Sequence, residues 1–295
     1  MTEIRRVGVL GCGLMGSGIA QVAATAGCDT LVRDVSKQIW ERARAGIEKS
    51  LGKFVEKGKL AAADRDAALR RLTFTTATAD LKGCDIVVEA VTEDLELKNS
   101  LWKELDALCA AHTIFASNTS SLTIAAMAAA TQRGDRFVGL HFFNPVPLMP
   151  LVEVVRTVTT SEETFRRAFA FAKALGKEPV AAKDSSGFIV NLLLVPYLLD
   201  AIRAVERGVG TVPDIDKAMQ LGCGYPMGPL TLLDFVGLDT TYKIAEIMFG
   251  EYREQRYAPP PLLKRMVIAG MNGRKSGRGF YDYSVDPPRV VGLGV

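Results

Sequence analysis

A β-prone run, Arg6 to Leu10, leads without interruption into "GCGLMG". Gly11, Gly13 and Gly16 fit the spacing G-x-G-x-x-G, in which one glycine makes a tight turn, one lets a pyrophosphate approach and one packs helix on strand. The next residues, Leu14 to Thr25, read as a helix whose N-terminus, opened by Leu14 and Met15, faces the phosphates. Small-residue packing alone also explains such glycines. A second strand, "DTLVRD", adds the discriminating feature by ending on Asp34, near the spacing of about 20 residues expected of an acid that binds an adenosine ribose. Asp34 accepts hydrogen bonds from a ribose 2′-hydroxyl and repels a 2′-phosphate, so NAD is favoured over NADP. Arg33 beside it leaves NADP open.

The same pattern recurs along the first half. "DIVVEAV" stops before Thr92, Glu93 and Asp94, "TIFAS" before Asn118 to Ser121, and "RFVGL" at His141. Strands alternating with helical segments imply a parallel, doubly wound Rossmann-like sheet. Ligands sit beyond the carboxyl ends of such strands, so Ser120 and His141 share a rim with the glycine turn. His141 is one of only two histidines. A buried, satisfied imidazole is the ordinary role of a lone strand-end histidine, and an exposed place on that rim favours catalysis instead.

Composition narrows the partners. An apolar fraction of 48%, a charged fraction of 23% and a net charge of +3 are those of a soluble globular chain without a nucleic-acid face. Five scattered cysteines show no metal-ligand spacing, so no metal is expected and a reducing compartment fits. The N-terminal stretch imitates a secretory signal, but Gly8, Gly11, Gly13, Gly16 and Gly18 interrupt its apolar core. A cytoplasmic protein is expected, or one in an organelle matrix after removal of a targeting segment.

Between the second and third strands lies a long, charged, helix-periodic stretch from Ser36 to Leu72, read as a helical hairpin broken at "KGKL". Lys49, Lys53, Lys57 and Lys59 cluster at that break, either as a solvated face or as a clamp for a large anionic substrate. From Gly187 onward the pattern turns helical. Asp184 to Ser186 offer a cap for the first of these helices, and Pro196 is expected to kink or break it. Residues 1–185 are therefore assigned to the nucleotide-binding domain and 186–295 to a helical domain for substrate and dimerisation.

The segments "GLMGSGIAQVAA", "ASNTSSL", "GLHFFNPVPLMPLVEVV", "SSGFIVN", "GYPMGP", "LLDFVGLDTTY" and "KSGRGFYDY" together resemble the L-3-hydroxyacyl-CoA dehydrogenase family over essentially the whole chain. The resemblance implies NAD-dependent oxidation of a (3S)-hydroxyacyl-CoA, most closely 3-hydroxybutyryl-CoA, in β-oxidation chemistry, by a homodimer. It places the catalytic pair on His141 and Glu153, an active-site serine on Ser120 and an asparagine on Asn191. Cofactor contacts fall on Gly11, Gly13, Gly16, Asp34, Glu93, Lys98, Ser120, Asn144 and Lys275. CoA contacts fall on Ser50 and Lys57. Two positions depart from the family pattern: Ser186 replaces a proline, and Leu192 replaces an arginine whose charge pair near the domain junction is then lost.

The chemistry suits those residue types. A secondary alcohol loses its proton as hydride leaves, and histidine, which ordinarily titrates near roughly 6.5, both accepts and returns a proton. Glu153 would orient the ring, while Ser120 and Asn191 would hold the C3 oxygen. Two alternatives differ in class. A dehydrogenase of a free 3-hydroxy acid would use a lysine base and need no CoA clamp. A lens-crystallin-like NAD-binding structural protein would not need the set Ser120, His141, Glu153 and Asn191.

Overall fold

The computed structural model describes residues 4–294, and the chain divides into two compact units after Phe188. In the first unit, β1 (Arg6–Leu10), α1 (Leu14–Thr25) and β2 (Asp29–Arg33) are followed by the hairpin α2 (Lys37–Glu56) and α3 (Ala62–Arg71). Then come β3 (Leu72–Thr75), β4 (Ile86–Glu89), α4 (Leu95–Leu108), β5 (Ile114–Ser117) and α5 (Ile124–Ala128). The unit closes with β6 (Phe137–Phe142), β7 (Leu151–Arg156), α6 (Glu162–Ala174) and β8 (Glu178–Lys183).

One eight-stranded sheet has the order β3-β2-β1-β4-β5-β6-β7-β8. Val7, Val9, Leu10, Ile86, Val87 and Val88 are buried, as expected of strands covered on both faces. The sheet is not wholly parallel, contrary to the expectation from sequence. β6 and β7 pair antiparallel, with His141 opposite Glu153, and β8 runs parallel to β7. The reason is length: residues 143–150 are too few for a crossover, which needs about a dozen or more.

Helix spacing decides which side chains face inward. On α2 the buried residues Trp40, Ile47 and Leu51 recur at helical intervals, and Ser36 caps the helix by accepting from Ile39 N at 3.3 Å. On α4, Lys98 shares its inward stripe with Trp102 and Leu105, which brings a lysine under the sheet's rim.

The second unit is helical: α7 (Val190–Glu206), α8 (Val212–Cys223), α9 (Pro229–Val236), α10 (Leu238–Tyr252) and α11 (Pro261–Ile268), followed by a small ribbon of β9 (Tyr281–Asp282) and β10 (Arg289–Val290). Leu198, Ile202, Leu230, Leu233, Met248, Leu263 and Phe280 belong to its core. Buried Asp234 fixes the C-terminal segment by accepting from Phe280 N and Tyr281 N, each at 2.9 Å.

One further expectation is corrected here. α7 does not break at the buried Pro196; its core contacts outweigh the roughly 3 kcal/mol that an interior proline costs. Asp184 accepts from Ile124 N and Ala125 N, both at 2.7 Å, at the start of α5.

Candidate active site

The glycine turn is built as its spacing implied. Gly11 adopts φ +93°, and a Cβ there would lie 2.8 Å from Ala90 O. A Cβ on Gly16 would sit 1.8 Å from Gly11 O, so helix and strand touch at this point. Gly13 differs, because a Cβ added to it meets nothing within 4 Å. Protein packing therefore does not demand its glycine, whereas close approach of a phosphate would. Gly13 N-caps α1 without a side-chain bond, leaving the first-turn N–H groups available to an anion. Leu14 and Met15 open that turn, and Leu14 is strongly exposed.

Asp34 ties β2 to the turn, accepting from Cys12 N at 2.6 Å and from Val35 N at 2.7 Å. A carboxylate has about four lone-pair sites, so acceptor capacity remains for a ribose hydroxyl. Burial first, then Asp34, pushes the Cys12 thiol up to about 12, which keeps it protonated and unreactive.

Beyond β4 and β5 lies a polar network that the motifs only partly reveal. Glu93 gathers the hydroxyl of Thr119, the Ser121 hydroxyl at 3.1 Å and the Ser120 N–H at 3.2 Å. Burial pushes the Glu93 carboxyl up, but the Lys98 ammonium and the Thr119 and Ser121 hydroxyls more than offset this, holding it below the usual carboxylate range. Lys98 is enclosed, and its Nζ reaches Glu89 at 2.5 Å and Glu93 at 3.2 Å. Asn118 Oδ1 accepts from Phe142 N at 2.9 Å and so ties this loop to the end of β6. Glu89 and Ser117 have no place in the sequence-based site; a carboxylate closing the apolar run "DIVVE" was the available signal for Glu89.

His141 lies one residue before the end of β6, and Nδ1 stands 2.7 Å from Glu153 Oε2. Both residues are buried, at 5% and 0% exposure. The expectation of a histidine exposed at the rim is thus corrected. Phe143 and Phe188 cover its ring, with centroids at 4.4 and 5.6 Å. Phe188 holds φ +49°, a costly conformation for an aromatic residue. Because an ionised carboxylate only accepts, Nδ1 carries the proton and donates it, which leaves Nε2 of the neutral ring as an acceptor.

The lysine hairpin faces an apolar wall across a cavity of about 510 Å³, with Lys49, Ser50, Lys53, Lys57 and Lys59 on one side and Pro147 and Leu148 on the other. Buried Lys177 holds that wall in place, donating to Val146 O at 2.5 Å and to Met149 O at 2.9 Å. A larger cleft of about 800 Å³ lies towards the amino ends of β5 and β6. Its Arg133 is committed to Asp106 at 2.5 Å and to main-chain carbonyls, so it offers no comparable chemistry.

Asn144 is exposed in the loop after β6. Ser186, at the departure from the family proline, donates to Ser121 O at 2.7 Å, a bond proline cannot make. Asn191 lies in the first turn of α7, and Lys275 pairs with Asp239 at 2.5 Å, both within the second unit. Among the described residues no group of three or more His, Cys, Asp or Glu could hold a metal ion.

Comparison with known proteins places this chain in a family. The model of the 3-hydroxyacyl-CoA dehydrogenase NAD binding domain matches residues 6–185, and that of the C-terminal domain matches 187–283. The chain belongs to the 3-hydroxyacyl-CoA dehydrogenase family. A 3-hydroxybutyryl-CoA dehydrogenase of Mycobacterium tuberculosis is 52% identical over 95% of this chain and 99% of its own length. The crystal structure of M. tuberculosis FadB2 superposes with a TM-score of 0.93 at 52% identity, covering 96% of this chain and 100% of that one. The (S)-3-hydroxybutyryl-CoA dehydrogenase PaaH1 of Ralstonia eutropha gives 0.92 at 43% identity, with the same coverage of 96% and 100%. The dehydrogenase family thus accounts for both units, and NAD is the cofactor that the first unit is built to bind.

The glycines separate packing from binding. Gly13→Ala is expected to cost no more than about 1–2 kcal/mol, the loss of a good N-cap residue, while weakening NAD binding on the order of tenfold or more, since the added Cβ meets the ligand and not the protein. Gly16→Ala should instead cost roughly 1–3 kcal/mol of stability through its clash with Gly11 O. Melting curves with NAD titration distinguish them, and a Gly13→Ala variant with normal affinity would contradict the assignment.

Proposed function

We propose that this chain interconverts (3S)-3-hydroxybutyryl-CoA and acetoacetyl-CoA, with His141 as the proton acceptor and donor. The observation that carries this reading is the buried His141–Glu153 contact of 2.7 Å, on the same rim as the glycine turn. Bound NAD supplies the hydride acceptor and donor. His141 Nε2 takes the proton of the C3 hydroxyl in oxidation and returns it in reduction. Glu153 holds the ring in the productive tautomer and faces the imidazolium as it forms, in an enclosed setting that strengthens their attraction. Ser120 directs a hydroxyl to the C3 oxygen. Asn191 is proposed as an amide donor to the substrate, and Asn144 and Lys275 as cofactor contacts, on the family resemblance.

The hairpin cavity supports a CoA substrate over a free hydroxy acid. Ser50 and Lys57 line it among further lysines, and cationic side chains against an apolar wall suit the phosphates and adenine of a nucleotide. A cytoplasmic location fits the bacterial relatives, and no helix among the described residues is long and apolar enough to cross a membrane. A homodimer through residues 186–295 is supported by the exposure of Leu193, Leu221, Phe235 and Ile268.

His141→Gln should retain NAD affinity and lose about 10²- to 10⁴-fold in kcat, because an amide cannot take the proton; near-normal turnover returns this histidine to a structural role. Lys57→Ala should raise KM for acetoacetyl-CoA up to about fivefold with kcat unchanged, an effect that shrinks with salt. The same variant should leave an N-acetylcysteamine thioester unaffected, since that substrate has no phosphates, and equal effects on both substrates would make the hairpin scaffolding. Light scattering at micromolar concentration should give twice the chain mass, and a monomer would end the dimer proposal.

A further inference from the structure

Glu89, the last residue of β4, is fully buried. Its Oε1 accepts from Lys98 Nζ at 2.5 Å and Val91 N at 2.8 Å, and its Oε2 accepts from Ser117 Oγ at 2.6 Å. Lys98 also faces Glu93, so one ammonium answers two carboxylates. A surplus of one negative charge is therefore held beneath the loop of Thr119, Ser120 and Ser121. Glu89 and Lys98 are enclosed as a matched pair, and Glu93 adds the surplus carboxylate at a partly exposed position.

The sheet order says what this charge faces. Glu89 lies in register with Leu10, the residue before the glycine turn, while β2 and Asp34 flank β1 on the other side. A dinucleotide with its ribose at Asp34 and its pyrophosphate at the turn has the β4 and β5 ends left for its nicotinamide half. The oxidised nicotinamide ring is cationic, and gaining a hydride neutralises it. We propose that the surplus charge of the Glu89–Lys98–Glu93 cluster makes the site bind oxidised nicotinamide in preference to reduced, with Glu89 supplying the enclosed half of its two carboxylates. The inference rests on the NAD-dependent function proposed above and goes beyond it, since Glu89 belongs to neither the glycine motif nor the matched family positions. Holding the oxidised form more tightly pulls the bound equilibrium toward reduction of the 3-keto group.

The test measures dissociation constants for NAD⁺ and NADH separately, by calorimetry and by NADH fluorescence, in the unmutated chain and in variants. Glu89→Gln should weaken NAD⁺ relative to NADH by roughly tenfold, the effect of one charge acting across a site of intermediate dielectric. Glu89→Gln combined with Lys98→Met restores a single net negative charge through Glu93, and the ratio should return toward that of the unmutated chain. A purely structural Glu89 gives the opposite result: both constants rise together at an unchanged ratio, and the double variant is worse than the single one. If Glu89→Gln does not fold, Glu93→Gln, at a partly exposed position, removes the same charge and carries the same expectation. An unmutated chain that binds neither nucleotide would overturn the functional reading itself, and this inference with it.

Discussion

The contact between His141 and Glu153 depends on a short connection. Residues 143–150 cannot span a crossover, so β7 returns antiparallel beside β6 and sets Glu153 directly opposite His141. Antiparallel neighbours project their paired side chains to the same face, and the two groups meet at 2.7 Å with almost no solvent. That connection also supplies Pro147 and Leu148 as the apolar wall of the lysine cavity. Its position is held from beneath by Lys177 and from the side by Gly18, whose missing Cβ would come within 2.7 Å of Val146. The His141–Glu153 contact and the cavity wall are thus consequences of one chain reversal.

Charge along the strand ends is arranged in order. Asp34 closes β2, the uncapped helix start follows β1, and the Glu89–Lys98–Glu93 cluster closes β4. Asn118 then ties the β5 loop to β6 and its histidine. Acceptor, donors, acidic cluster and imidazole follow the sequence of parts in a dinucleotide with a substrate alcohol at its reactive end. Asp34, the acidic cluster, Asn118 and His141 are each held by hydrogen bonds to neighbouring strand ends.

Much of this was legible in the residues, for identifiable reasons. The glycine spacing and the periodicity of Leu14 to Thr25 reflect local geometry, and α1 occupies those residues. The long charged stretch after β2 folds as the hairpin its pattern implied. What escaped depends on partners distant in sequence. Asp184 accepts from the start of α5, 60 residues earlier, a bond that its neighbours in sequence do not announce. The burial of His141 comes from Phe143 and Phe188 folding over it, and an apolar strand end by itself does not forecast that cover. Glu89 reads as one polar residue closing a strand, and its significance emerges only when α4 delivers Lys98 to it. Pro196 obeys a local rule that the packing of α7 overrides.

The central claim is that this rim performs NAD-dependent chemistry at C3 of a short acyl-CoA. Its most direct test supplies the purified chain with acetoacetyl-CoA and NADH, follows the reduced-nicotinamide absorbance band, and determines the configuration of the product. The account predicts loss of the band, formation of the (3S)-hydroxy thioester, and a far slower reaction with NADPH because of Asp34. No oxidation of NADH, or a (3R) product, would contradict it.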